Sequence, residues 1–237
     1  MPGTAPTAGT CCTLGSMTPL PASPDPESGP PVRPVTGRRR ATVPALSIGT
    51  LEDVRPGSLL VAMPGLTDPT FAGSVVYVLD HSATGTLGVV LGNPSQVEIR
   101  DVLPGWCDLA VEPGVFHVGG PCETDTALCL ARCPEPVTDP DSGLRPVAGD
   151  VHLVDLDADP APLTGAVQGL RVFAGYAGWS PGQLAGELAE GAWACLPGTP
   201  EDVLTQLSGP QLWRAVVRRQ TGRLAVLSTA PVDPAVN

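Results

Sequence analysis

Short apolar runs recur along the chain from Ser58 onward, each ended by Gly, Pro or a small polar residue. Ser58-Leu-Leu-Val-Ala-Met63 predicts a strand closed by Pro64-Gly65. Ser74–Leu79 and Leu87–Leu91 predict two more, joined through Asp80–Gly85 as a hairpin with a longer loop. Ile99–Leu103 suits a helical turn, and Val115–Val118 a strand running into Gly119-Gly120-Pro121. Pro134–Pro146 is polar and broken by proline, so it predicts a loop, after which Val151–Val154 resumes the sheet. Gln211–Gln220 carries Leu212, Trp213, Val216 and Val217 on one helical face, and Leu224–Leu227 closes the series as a short strand. Strand runs interrupted by a few helices, without a repeating βαβ pattern, predict an α+β domain with a mixed sheet.

The densest information lies between Phe173 and Trp193. Leu170–Phe173 has strand character, Gly175 and Gly178 permit a turn around Tyr176, and Ser180-Pro181 has the chemistry of a helix start. Leu184 and Leu188 share one helical face, Glu187 and Glu190 lie off it, and Gly191 is a stop signal. A helix of roughly ten residues is marginal in isolation. Tertiary packing must hold it, with Trp179 and Trp193 as the obvious partners. Free N–H groups at its start, beside Gln183 and Trp179, would form one wall of a site for an anionic or polar ligand.

Composition adds two constraints. Residues 1–47 are rich in Pro, Gly, Ser and Thr and contain no aromatic residue, so they read as a disordered tail preceding a single domain over 48–237. The formal net charge is −11, and residues 1–47 hold four Arg against Asp25 and Glu27, which leaves −13 on the remainder. A body this acidic repels nucleic acid and anionic membranes, so direct nucleic-acid binding is not expected. All 13 basic residues are Arg, the mark of base composition rather than of chemistry. Arg38-Arg39-Arg40 is followed by no apolar stretch of the kind an export signal needs, and Cys11-Cys12 has no apolar lead-in. No run approaches the ~20 apolar residues of a membrane span. These features predict a cytoplasmic protein.

Several motifs in order resemble the YqgE/AlgH family of bacterial proteins: Gly57-Ser-Leu-Leu-Val-Ala-Met-Pro64, Asp68-Pro-Thr-Phe71, Val75–His81, Gly85-Thr-Leu-Gly-Val-Val-Leu91, Gly119-Gly120-Pro121, Gly175-Tyr-Ala-Gly-Trp179 with Gln183-Leu184, Leu212-Trp-Arg214 and Asp233–Asn237. The resemblance spans about residues 50–237. It implies a compact, partly barrel-like mixed sheet flanked by short helices, a cytosolic location and a proposed regulatory link, with no settled catalytic mechanism. Leu91-Gly-Asn-Pro94 departs from the family's Leu-Asn-Arg-Pro, so an anion contact by that Arg is not available here.

The common catalytic constellations are missing: there is no G-x-S-x-G elbow and, without Lys, no P-loop. Asp155–Asp159 imitates a calcium loop, but Pro160 and Ala166 occupy its turn and bidentate positions. His117, Cys122, Cys129 and Cys133 lack a C-x-x-C pair and read as buried thiols rather than a zinc site. Seven cysteines, an odd number, suggest no disulfide framework. No metal or other cofactor is therefore expected. His152 reads as a core residue, and Arg214, Arg218 and Arg219 as a solvated face. The candidate binding set is Gly119, Gly120, Pro121, Tyr176, Trp179, Gln183, His81 and Asn93, drawn from glycine-rich turns at strand ends, where sites concentrate. Two function classes follow. One is a regulatory module for an unknown small ligand or protein partner. The other is an enzyme with an unfamiliar site for a small anionic or nucleotide-like substrate. Transcriptional regulation by direct DNA contact is a weaker third.

Overall fold

The computed structural model describes residues 49–220, except 136, 138, 140 and 141, together with 223–227. The predicted tail over 1–47 and the Asp233–Asn237 motif lie outside the described residues. Among the described residues the regular structure is mostly strand: β1 (Ser58–Ala62), β2 (Val75–Ser82), β3 (Gly85–Val90), β4 (Pro94–Glu98), β5 (Val115–Val118), β6 (Cys122–Arg132), β7 (Leu144–Ala148), β8 (Val151–Val154), β9 (Gly169–Trp179) and β10 (Trp193–Pro197). Among the described residues five short helices accompany them: α1 (Ile99–Val102), α2 (Gln183–Ala189), α3 (Pro200–Val203), α4 (Gly209–Arg218) and α5 (Arg223–Leu227). The sheet runs β10-β1-β2-β3-β9-β6-β8-β7, with β5 adding to β9 and β4 to β5. It is mixed, because β5 pairs with β9 in parallel while the other pairs are antiparallel. This is an α+β fold in which the sheet curls into a half-barrel.

Strand β9 holds the two halves together. Its first part pairs with β6 and β5, and its last three residues, Ala177–Trp179, pair with β3. Leu170 and Val172 point into one buried cluster with Ile99, Trp106 and Phe116. Phe173, on the opposite face, joins the central cluster. Gly175 adopts φ 69°, the left-handed conformation that glycine tolerates. Beyond it, Ala177 and Trp179 enter a third cluster with Phe71, Leu184 and Trp193. Opposite Gly175 the partner strand bulges: Cys122 pairs with Tyr176 and Ala127 with Ala174, so residues 123–126 loop outward, exposed. The expected turn at Tyr176 is therefore a kink within one eleven-residue strand.

The central cluster lies between the sheet's concave face and α4. Alternation on β1 sends Leu59 and Val61 inward, and Leu60 and Ala62 to the cluster beneath α2. Leu212, Trp213, Val216 and Val217 of α4 are all buried, as the helical spacing predicts. The Trp213 indole N–H donates to the Ala62 carbonyl at 2.7 Å and fixes α4 against β1. Arg219 grips Asp202 through two 2.6 Å bonds, so one residue of the predicted basic face is an anchor between α4 and α3.

Other expectations change. Leu224–Leu227 lies within helix α5, packed on α4; four apolar residues cannot distinguish strand from buried helix. The 80–85 segment is a tight hairpin, because β2 continues to Ser82 and β3 starts at Gly85. The 134–146 loop ends early, at the start of β7. Cys129, Cys133 and Cys195 are buried free thiols, whereas Cys122 is disulfide-bonded, contrary to the expected absence of disulfides.

Candidate functional site

Helix α2 begins at Gln183, with Gly182 at its N-cap, and not at Ser180-Pro181. Its end follows the predicted pattern: the Gly191 N–H donates to the Leu188 carbonyl and the Ala192 N–H to that of Glu187, a Schellman closure. The helix is organised by Glu187. The Trp179 and Trp193 indole N–H groups donate to its Oε2 at 2.9 and 2.8 Å, and the Gln183 amide donates to Oε1 at 3.0 Å. Gln183 Oε1 in turn accepts from the Ser180 N–H at 3.0 Å and the Ser180 hydroxyl at 3.1 Å. The expected anion-binding wall is thus largely an internal network. Trp179 is 5% exposed, with its ring tilted over Phe71 and edge-on to Trp193, so it offers no free stacking face.

Beside this network a cavity of about 390 Å³ opens between the β2–β3 hairpin and the start of α2. His81, Ser82, Ala83, Gly85 and Thr86 line one side; Ser180, Gly182, Leu184 and Ala185 line the other, with Leu51 also contributing. His81 and Thr86 are cross-strand partners, and His81 Nδ1 lies 2.7 Å from Thr86 Oγ1. The size falls within the range of small-molecule sites.

The eight candidate residues separate along β3. His81 lines the cavity at the Gly85 end, and Gln183 stands just behind its wall. Gly119, Gly120, Pro121 and Asn93 gather at the other end. There the Val90 N–H donates to the Gly119 carbonyl and the Val118 N–H to that of Asn93. Thr86 at the cavity and Val90 at the other end lie four residues apart on β3, about 13 Å of strand. Gly119 and Gly120 press directly on the β9 backbone at Gly175 and Tyr176, where no side chain fits. Tyr176 is half-buried; its hydroxyl is bonded to Glu123, and burial, followed by that carboxylate, raises its pKa. Thr86, Ser180, Gly182 and Leu51 were not among the sequence candidates. The numbering of a two-residue hairpin would have paired His81 with Thr86.

A second polar centre is enclosed in the core. Arg171 is 2% exposed and donates from Nη1 to the Thr205 carbonyl and from Nη2 to those of Glu112 (3.2 Å) and Leu204 (3.5 Å). Its Nε has no hydrogen-bond partner, and burial lowers its pKa to about 10. His117, equally buried, is pushed down to about 4, first by burial and then by the Arg171 charge. These groups hold carbonyls and have no access to a ligand. Among the described residues no group of three or more His, Cys, Asp and Glu side chains could hold a metal ion.

A half-barrel sheet with a small cleft of mixed polar and apolar lining at a hairpin defines a compact scaffold. The AlgH-like family model matches residues 59–225, and the chain belongs to this family. It is 50% identical over 183 residues to a UPF0301 protein of Streptomyces avermitilis, covering 76% of this chain and 94% of that relative. A UPF0301 protein of Mycobacterium tuberculosis is 48% identical over 184 residues, covering 76% and 89%. The crystal structure of protein DIP2367 from Corynebacterium diphtheriae superposes with a TM-score of 0.70 at 35% identity, covering 75% of this chain and 93% of that one. The solution structure of the AlgH protein from Pseudomonas aeruginosa superposes with a TM-score of 0.54 at 27% identity, covering 74% and 94%.

Proposed function

We propose that the chain is a cytoplasmic regulatory module that binds a small polar ligand in the cavity between the β2–β3 hairpin and α2. The observation that carries this reading is the convergence of His81, Thr86, Ser82 and Ser180 on one cleft of about 390 Å³. Leu51, Leu184 and Ala185 supply apolar surface for the rest of a ligand. Among the described residues no helix is long and apolar enough to cross a membrane. The test is native co-purification followed by mass spectrometry, comparing the chain with a Ser180→Ala, Thr86→Val double variant. A small molecule retained by the former and lost by the latter is the expected result; retention by both would refute the assignment.

A second reading, an enzyme, draws on the 2.7 Å contact between His81 Nδ1 and Thr86 Oγ1, a distance suited to a base and a hydroxyl nucleophile. Covalent labelling of Thr86 by an acyl- or phosphoryl-transfer probe, dependent on His81, would establish it. No adduct after prolonged exposure would reject it.

A further inference from the structure

Resting on the binding reading above, we infer that this cavity takes an uncharged, hydroxyl-bearing small molecule and discriminates against its phosphorylated form.

The argument starts from what lines the cleft. Its described lining has three hydroxyls and one imidazole but no Lys, Arg, Asp or Glu. A ligand charge placed there loses water without gaining an ion pair, which is costly. Glu187, on α2 behind the cleft, is committed on both oxygens: Oε2 to the two indoles and Oε1 to Gln183. A cation therefore finds no carboxylate among the residues that line the cleft. An anion meets a protein of net charge −11, with Glu52 and Asp53 directly following Leu51 in the chain.

The hydrogen-bonding directions select further. Ser180 Oγ donates its proton to Gln183 Oε1, so only its acceptor capacity remains for a ligand. A phosphate or carboxylate brings acceptors and mismatches it; a ligand O–H matches it. The His81–Thr86 pair is adaptable. If Thr86 donates to Nδ1, the neutral ring presents an N–H at Nε2. If Nδ1–H donates to Thr86, Nε2 is an acceptor and the threonine proton is free. In both tautomers the pair gives a ligand one donor and one acceptor, the complement of a hydroxyl group. Leu51, 39% exposed at the cleft, and Leu184 leave room for a carbon skeleton beside these polar groups.

The experiment titrates the full chain with matched probes: ribose against ribose 5-phosphate, and adenosine against its 5′-monophosphate. Binding is followed by amide NMR shifts of Ser82, Gly85 and Ser180–Ala185. The uncharged member of at least one pair should shift these amides and bind roughly tenfold or more tightly than its phosphate, the difference expected for an unpaired charge. Ser180→Ala, at an exposed position, should weaken it roughly three- to tenfold, the worth of one hydrogen bond. Thr86→Val should do the same, provided its circular dichroism matches the parent. Equal or tighter binding of the phosphate at these amides overturns the ligand class and leaves the cavity reading standing. Shifts from none of the four probes, or only elsewhere, overturn both.

Discussion

Replacing Glu187 tests the physical account of α2 most directly. Its carboxylate is the acceptor for the Trp179 and Trp193 indole N–H groups and for the Gln183 amide. Trp193 is wholly buried and Trp179 nearly so. Glu187→Ala removes the acceptor and leaves two indole N–H groups unsatisfied, each costing about 1–3 kcal/mol. Because Glu187 is only half-buried, water entering the vacated space recovers part of this. The expected loss is about 2–4 kcal/mol, a large fraction of the roughly 5–15 kcal/mol that holds a domain. Glu187→Gln keeps one oxygen for the indoles but turns an amide donor toward the Gln183 amide. Gln183 cannot simply flip, since its oxygen already accepts from the Ser180 N–H and hydroxyl. The glutamine variant should fall between Ala and wild type, about 1–2 kcal/mol down. Urea unfolding followed by tryptophan fluorescence reads both, with the midpoint shifting at constant slope. Glu187→Ala within 0.5 kcal/mol of wild type, at roughly the level of a neutral surface change, would refute the reasoning. So would a Gln variant less stable than the Ala variant.

Arg171→Met should destabilise by about 3 kcal/mol or more, because three carbonyls from two chain segments lose their donor; denaturant unfolding checks this. His117 is neutral in the folded state down to about pH 4, whereas the unfolded ring protonates near 6.5. The stability it contributes is therefore complete above pH 6.5 and lost as pH falls toward 4, by up to about 3 kcal/mol. A His117→Asn variant should show a shallower acid limb, and an NMR titration should find the wild-type ring uncharged at pH 5.5. Gly120→Ala should fold poorly or lose more than about 3 kcal/mol, since φ is 155° and a Cβ would collide with the Tyr176 carbonyl. A melting temperature within a few degrees of wild type would contradict that geometry.

Strands β1, β2, β3, β5 and β8 were legible because each is a contiguous apolar run with a clear stop. Helix α4 was legible from its four-residue stripe. Strand β6 was not, because four of its eleven residues are the polar segment Glu123–Thr126, which bulges into solvent. Strand β4, Pro94–Glu98, is an exposed edge strand without the alternation of a half-buried one. The hairpin turn Ala83-Thr84 lacks the Asn-Gly or Asp-Gly chemistry that announces a two-residue loop. That concealed the His81–Thr86 register and with it half of the cavity. Gln183 and Glu187 could be paired from their four-residue spacing. Trp179 and Trp193 were legible as packing partners of the helix, but that both indoles, from β9 and β10, donate to Glu187 could be found only in three dimensions.

The placement of β9 also governs how the chain emerges during synthesis. Strands β3 and β6 both pair with β9, which is made about 36 residues after Arg132. At a ribosomal rate of about 5–20 residues per second, the β6 edge stays open for roughly 2 to 7 seconds and the β3 edge, complete at Val90, for roughly 4 to 16 seconds. Strand β1 waits longer still, since its outer neighbour β10 begins at Trp193. A nascent chain stalled before Gly169 carries unpaired apolar strand edges on both half-sheets, the form most exposed to chaperones and to pairing with other chains.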